Sequence, residues 1–282
     1  MQPEQWRQLN VAFSSRRDAE ELAVRRIGPA FLDAEDRGLV RSWFFIRKPQ
    51  WRFRWLPASP ADAVTALRAL TPAGPGMHWT PVVCEFETTA FGGPLGLSAA
   101  CDLFHADSRH ILQWLGGSQP LGRRETSVLL CGSLLRGAGL DWFEQGDVWA
   151  RVAELRPRAN PVPADPASLS QLRDAMRTLM TADARSLANP ATGGPLSGRQ
   201  SWITAFETAG QRLARLNEQG QLKRGLRAIL AHHLIFHFNR IGISGGDQAT
   251  MAALAVDVVF NSPDPPRRPS AGTGTDSRAS SP

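Results

Sequence analysis

Between Val40 and Trp55 the chain carries a pattern that a two-faced strand satisfies: Trp51, Phe53 and Trp55 alternate with Arg52 and Arg54. Side chains on a strand point to alternate faces, so the rings go to one side and the two guanidiniums to the other. Just before it, Trp43-Phe44-Phe45-Ile46 has no polar residue in the alternation, as in a strand covered on both faces. Pro49 separates the two strands, and Pro57 and Pro60 end the second, because proline cannot donate to a sheet ladder. An aromatic sheet face of this kind must be buried under another layer.

Trp6 to Phe13 reads as a further strand and Trp79 to Glu87 as a fourth. Ser14 is an N-cap for a polar helix running to Arg26. Helical spacing marks Ala61 to Leu70, Ser98 to Leu115, Arg123 to Ala138, Gln171 to Met180, Trp202 to Asn217 and Leu222 to Ile241. Thr71 to Gly76, Pro157 to Pro166 and Asn189 to Gly198 are connectors. Strands come early and helices late, with no regular alternation. That predicts an α+β fold, its N-terminal strand-rich part packed on helices and its C-terminal third mainly helical. The folded unit is expected over 6–260, and 261–282, rich in Pro, Ser, Arg and Gly, reads as a disordered tail.

Charge and cysteine usage narrow the function classes. The net charge is +6 and 30 of 32 basic residues are arginine, but no dense basic run or nucleic-acid signature is present. Direct nucleic-acid binding is therefore not expected. No stretch approaches about 18 uninterrupted apolar residues, and Met1 to Asn10 lacks an apolar signal core, so the chain reads as cytoplasmic and without a membrane partner. Cys84, Cys101 and Cys131 form no CxxC pair, which points to chemistry with neither metal nor other cofactor.

Four segments could carry chemistry. Arg52 and Arg54 on one strand face form a fork for a carboxylate or phosphate, or a solvated basic face. Glu87 precedes Phe91-Gly92-Gly93-Pro94, where glycines permit close backbone approach to a ligand or simply a turn. In His232-His233-Leu-Ile-Phe-His237-Phe-Asn239-Arg240, His233, His237 and Arg240 follow one side of a helix, within the apolar stripe of Leu222, Leu226, Ile229 and Leu230. Two imidazoles there either satisfy one another in the core or act as acid and base. His105-Ala-Asp107-Ser108-Arg109 is a surface network or a further part of the site, and it contains no nucleophile elbow.

Taken in order, Trp-x-x-x-Asn-Val-Ala-Phe, Trp-Phe-Phe-Ile-Arg, Glu-x-x-x-Phe-Gly-Gly, Leu-Phe-His-Ala-Asp-Ser, Gly-Asp-Val-Trp-Ala-Arg-Val and His-Phe-Asn-Arg resemble one family. It is the thiopeptide-type bacteriocin biosynthesis family, which also forms the C-terminal elimination domain of class I lantibiotic dehydratases. The resemblance implies a partner system. A separate tRNA-dependent dehydratase glutamylates Ser or Thr of a ribosomally made precursor peptide, leader and core, and the elimination domain removes glutamate to leave a dehydroamino acid. It implies that Arg47, Arg52 and Arg54 bind the substrate carboxylate, with Glu87 at the turn. Proton transfer falls to His237, with His233 and Arg240 beside it.

The chain departs from the family where Ala90 replaces an arginine of many relatives, and where Trp51 stands at a position that tends to be histidine. The same fold serves thiopeptide pyridine synthases, which join two dehydroalanines in a formal [4+2] cycloaddition and expel the leader. Ala90 is compatible with that. The chain has no tyrosine, so versions relying on a tyrosine proton donor are excluded. A non-catalytic leader-peptide-binding subunit is the third alternative, and the resemblance leaves room for a homodimer.

Overall fold

Antiparallel pairing joins β1 (Arg7–Phe13), β2 (Val40–Ile46), β3 (Trp51–Pro57) and β4 (Met77–Val82) into one sheet of order β2-β3-β1-β4. A computed structural model describes residues 5–48, 50–71, 75–156 and 165–261. The tail expected from Asn261, apart from Asn261 itself, and residues 157–164 of the connector expected from Pro157 to Pro166 lie outside the described residues.

Residues opposite one another across an antiparallel ladder share a face. The register therefore sets Trp43 beside Trp55, then Phe45–Phe53–Leu9, then Trp51–Val11–Trp79 on the first face. The second face carries Phe44–Arg54–Gln8–Val82 and Ile46–Arg52–Asn10–Thr80. Phe31 covers the first face, its ring 4.7 Å from Trp43 and 5.4 Å from Phe53. All three rings are completely buried, and each contributes about 1.5–3 kcal/mol. The second face is covered over Phe44, Arg54 and Gln8, where Phe104 meets Phe44 at 5.4 Å and Phe86 lies over Arg54. Toward β4 it is open, and His78 and Thr80 are exposed.

The first helix is capped by Ser15 rather than Ser14: the Ser15 side chain accepts from the Asp18 amide, while the Ser14 amide donates to the Gly76 carbonyl. It does not stop at Arg26. α1 (Arg16–Leu22) passes through a π turn, Ala23–Ile27, into α2 (Gly28–Asp36). Pro29 has no amide to donate, and the wider turn ahead of it lets the helix continue. β4 ends at Val82 rather than Glu87, since Val82 already pairs with Gln8 near the start of β1. The residues beyond have no strand to join.

α3 (Ala63–Leu70) leads into β4, and beyond β4 the regular elements among the described residues are helical: α4 (Pro94–Leu115), α5 (Arg123–Gly137), α6 (Trp142–Leu155), α7 (Pro166–Thr181), α8 (Ala184–Leu187), α9 (Gln200–Glu218), α10 (Leu226–Ile241) and α11 (Gly245–Phe260). This is the expected α+β fold. The sequence reading assigned no element to α6 or α11, yet both open on clear caps. Asp141 and Glu144 form a capping box, and Ser244 accepts from the Asp247 amide. α10 is buried nearly all round and forms the axis of the helical layer.

α4 also closes the outer edge of the sheet at β2. Ser108 Oγ accepts from the Phe45 amide at 3.2 Å, and His105 Nδ1 lies 2.9 Å from the Trp43 carbonyl oxygen. Elsewhere α5 and α9 approach until backbones touch. A Cβ on Gly210 would overlap the Leu134 carbonyl, and one on Gly137 the backbone of Glu207. Gly210→Ala is expected to destabilise by about 1–3 kcal/mol, the overlap outweighing the gain in helix propensity. An unchanged urea midpoint would show that the two helices part freely.

Candidate functional site

The two strand arginines share a face but not a state. Arg54 is buried, and a buried cation must be paired. Its Nε donates to Gln8 Oε1 at 2.9 Å, Nη1 to Glu87 Oε2 at 3.3 Å and Nη2 to the Glu85 carbonyl at 2.6 Å. The guanidinium also lies 4.9 Å from the Phe86 ring centroid. Arg52, one row along, is half-buried between Asn10 and Ile46 and has no hydrogen-bond or ion-pair partner among the described residues. Arg47 is not brought to them. Its guanidinium stacks 4.3 Å from Trp51, a member of the opposite face.

The loop after β4 carries Glu87 and the double glycine across to α10. Gly92, at φ +80°, is held against the protein's own chain: a Cβ there would overlap Ile229, and the Lys223 amide donates to the Gly92 carbonyl at 2.9 Å. Arg224 Nη1 reaches the Ala90 carbonyl at 3.4 Å. Phe91 then faces three residues of α10, with ring centroids 6.3 Å from His232, 5.1 Å from His233 and 5.0 Å from Phe236.

His232 is half-buried, and its Nδ1 donates to the Ala228 carbonyl at 2.9 Å. That fixes the neutral tautomer and leaves the Nε2 lone pair without a partner among the described residues. Burial lowers its pKa, Arg224 and Arg156 lower it further, and the Ala228 hydrogen bond and Glu87 act the other way. Helical periodicity passed over this residue because it lies off the apolar stripe. The visible signal was the His232-His233 doublet, whose first member must turn away from the second.

His237 and Arg240 belong to a different, enclosed cluster. Asp107, projecting from α4, accepts from Trp202 Nε1 at 2.9 Å and from Arg240 Nε at 2.8 Å. His237 Nδ1 is 3.0 Å from Asp107 Oδ2, and Nε2 is 3.0 Å from Ser127 Oγ. Serine, imidazole and carboxylate stand in the order of a hydrolytic triad. Ser127 and Asp107 are 0% exposed and His237 1%, so no substrate carbonyl reaches the hydroxyl. The cluster ties together α4, α5, α9 and α10.

Burial alone would raise the Asp107 pKa, but the charges of His237 and Arg240, and their hydrogen bonds, hold it down at about 2. Arg240 rests on the Phe104 ring at 4.1 Å, a cation–π contact, while both its Nη atoms are buried with no partner among the described residues. His233 lies apart from this cluster. Its Nδ1 donates to the Ile229 carbonyl, its Nε2 is buried with no partner among the described residues, and burial drives its pKa to about 4.

An α+β domain whose sheet presents one half-open polar face, bordered by a glycine-pinned loop and a central helix, defines the class. The family model described as the lantibiotic biosynthesis dehydratase C-terminal domain matches residues 6–259, and the chain belongs to that family. Similar solved structures agree in fold. The tRNA-dependent lantibiotic dehydratase MibB from Microbispora sp. 107891 superposes with a TM-score of 0.58 at 17% identity, over 93% of this chain and 28% of that one. The pyridine synthase TbtD from thiomuracin biosynthesis gives 0.57 at 16% identity, over 92% and 98%. TsrL gives 0.53 at 16%, over 90% and 94%. The chain thus spans 28% of the length of MibB. Comparison with curated proteins finds no match.

Proposed function

We propose that this chain is a peptide-modifying lyase of ribosomal peptide biosynthesis, removing glutamate from glutamylated Ser or Thr of a precursor peptide. The observation that carries the reading is Arg52, a cation with no partner among the described residues, on a half-open polar face beside an arginine that Glu87 already neutralises. One free guanidinium suits one carboxylate. The substrate would be made by a separate glutamylating dehydratase.

In this reading His232 Nε2 takes the Cα proton. The C–H electron pair becomes the Cα=Cβ bond, the Cβ–O bond breaks, and glutamate leaves as a carboxylate held by Arg52. Arg224, near enough to depress His232, contributes positive charge toward the enolate-like oxygen. Glu87 keeps Arg54 fixed under the floor of the site. The proton-transfer role expected of His237 passes to His232, because both ring nitrogens of His237 are engaged and the residue is sealed from solvent.

Arg52→Ala should slow glutamate release from a chemically glutamylated serine peptide by about ten- to a hundredfold, since a charge-assisted contact is worth about 1.5–3 kcal/mol. The native protein should release free glutamate and dehydrated peptide without added ATP, tRNA or metal. A second reading, pyridine formation, is favoured by Ala90, which leaves that loop position without a side-chain cation. Inertness toward the glutamylated peptide, with cyclisation of a thiazolyl peptide rich in dehydroalanine, would overturn elimination in its favour.

A further inference from the structure

Across the sheet from Arg52, a cleft of about 480 Å³ is lined by Glu20, Arg47, Lys48, Trp51, Asn239 and Ser244, among others. Its centre is one carboxylate shared by two guanidiniums. Arg47 Nη1 bonds Glu20 Oε1, while Arg123 donates to both Glu20 oxygens at 2.8 and 2.6 Å and to the Ile241 carbonyl at 3.1 Å. Two cations thus hold one carboxylate, and a third, the exposed Lys48, lines the same cleft. The carbonyl end of α10 offsets part of that charge, and the amide end of α11, capped by Ser244, adds to it.

Arg47 is not satisfied by this arrangement. Its Nε and Nη2 are buried with no partner among the described residues, and its guanidinium carbon stands 4.3 Å from the Trp51 ring centroid. Burial lowers its pKa to about 10, and Glu20 restores only part of the loss. The backbone is bare where the guanidiniums stand: a Cβ on Gly242, at φ +90°, would lie 2.8 Å from Arg47 Nη1 and 2.6 Å from Arg123 Nη1. The space admits a side chain together with adjoining backbone rather than a lone ion.

We propose that this cleft binds a carboxylate, supplied by an acidic residue of the peptide substrate. The carboxylate chemistry stands on the cleft alone, whereas its source rests on the peptide-modifying reading. The site lies on the opposite face from the reacting centre and holds the peptide at a second point.

The test is calorimetric titration with a capped peptide containing two adjacent glutamates, with its glutamine counterpart, and with glutarate. The glutamate peptide should bind at least about tenfold more tightly than either, and more weakly as salt rises. Lys48→Glu, an exposed change that leaves the fold alone, should weaken it by about tenfold or more, and Arg47→Leu by a similar factor. Equal binding of the glutamine peptide, or no effect of Lys48→Glu, overturns the site. Glutarate binding as tightly as the peptide overturns the peptide as source. Glutamate release reports separately on the Arg52 face, so loss of that activity with peptide binding intact counts against elimination and not against the cleft.

Discussion

Replacing Asp107 with alanine is expected to lower stability by about 3–5 kcal/mol, a large share of what a domain of this size possesses. The carboxylate is the common acceptor for Trp202, His237 and Arg240, all buried. Removing it leaves a guanidinium without its counter-charge and two ring N–H groups without acceptors. Urea unfolding reads the change directly, and a midpoint near that of the native protein would show that water replaces the carboxylate.

The same group sets the acid limit of the fold. Its pKa is depressed in the folded state, so its contribution is complete above about 3.9, where an unfolded aspartate titrates, and is lost as pH falls toward about 2. His233 acts earlier. Its folded pKa of about 4 lies below the ordinary histidine value, so stability falls as pH drops from about 6.5 and levels off once the folded form is protonated too. His233→Phe should make the upper window shallower, with His232 still contributing there, and leave the lower one.

His232→Asn is expected to slow glutamate release by about 10²–10⁴-fold while peptide binding survives. The side chain is half-buried and, among the described residues, hydrogen-bonded only to its own helix, so the fold should tolerate the change. Single-turnover glutamate release is the measurement. His237→Asn should behave differently and lower the unfolding midpoint, since that ring joins α4 to α5. A well-folded His237→Asn protein that loses release, beside an active His232→Asn protein, would return the base to His237.

The alternation at Trp51 to Trp55 made β3 and its two faces legible, because the period of two is a local property. What separates Arg52 from Arg54 is not local. Arg54 is held by Gln8 and by the loop at Glu85 and Glu87, which only the folded sheet and loop bring near it. The stripe through His233 and His237 likewise announced that both point inward. It could not announce that Asp107, 130 residues from His237, would seal one of them in. Arg47 sits five residues before Arg52 and reaches the other side of the sheet, since the turn after β2 sends it over Trp51. The order of motifs carried the family, while the apolar length of α11 carried no distinguishing period and went unread.

The side chains that α4 lays along β2 also bear on how copies of this protein behave when crowded. An unshielded strand margin invites another molecule to zip onto it, the first step toward fibrous deposits. Ser108 occupies the Phe45 amide on that margin and His105 meets the Trp43 carbonyl, while at the far margin Pro81 removes an amide from β4. The sheet is therefore barred from lengthening at one side and hindered at the other. Exchanging Pro81 for valine would restore an amide at the far margin, and concentrated solutions of that variant should turn thioflavin-positive while the parent stays clear.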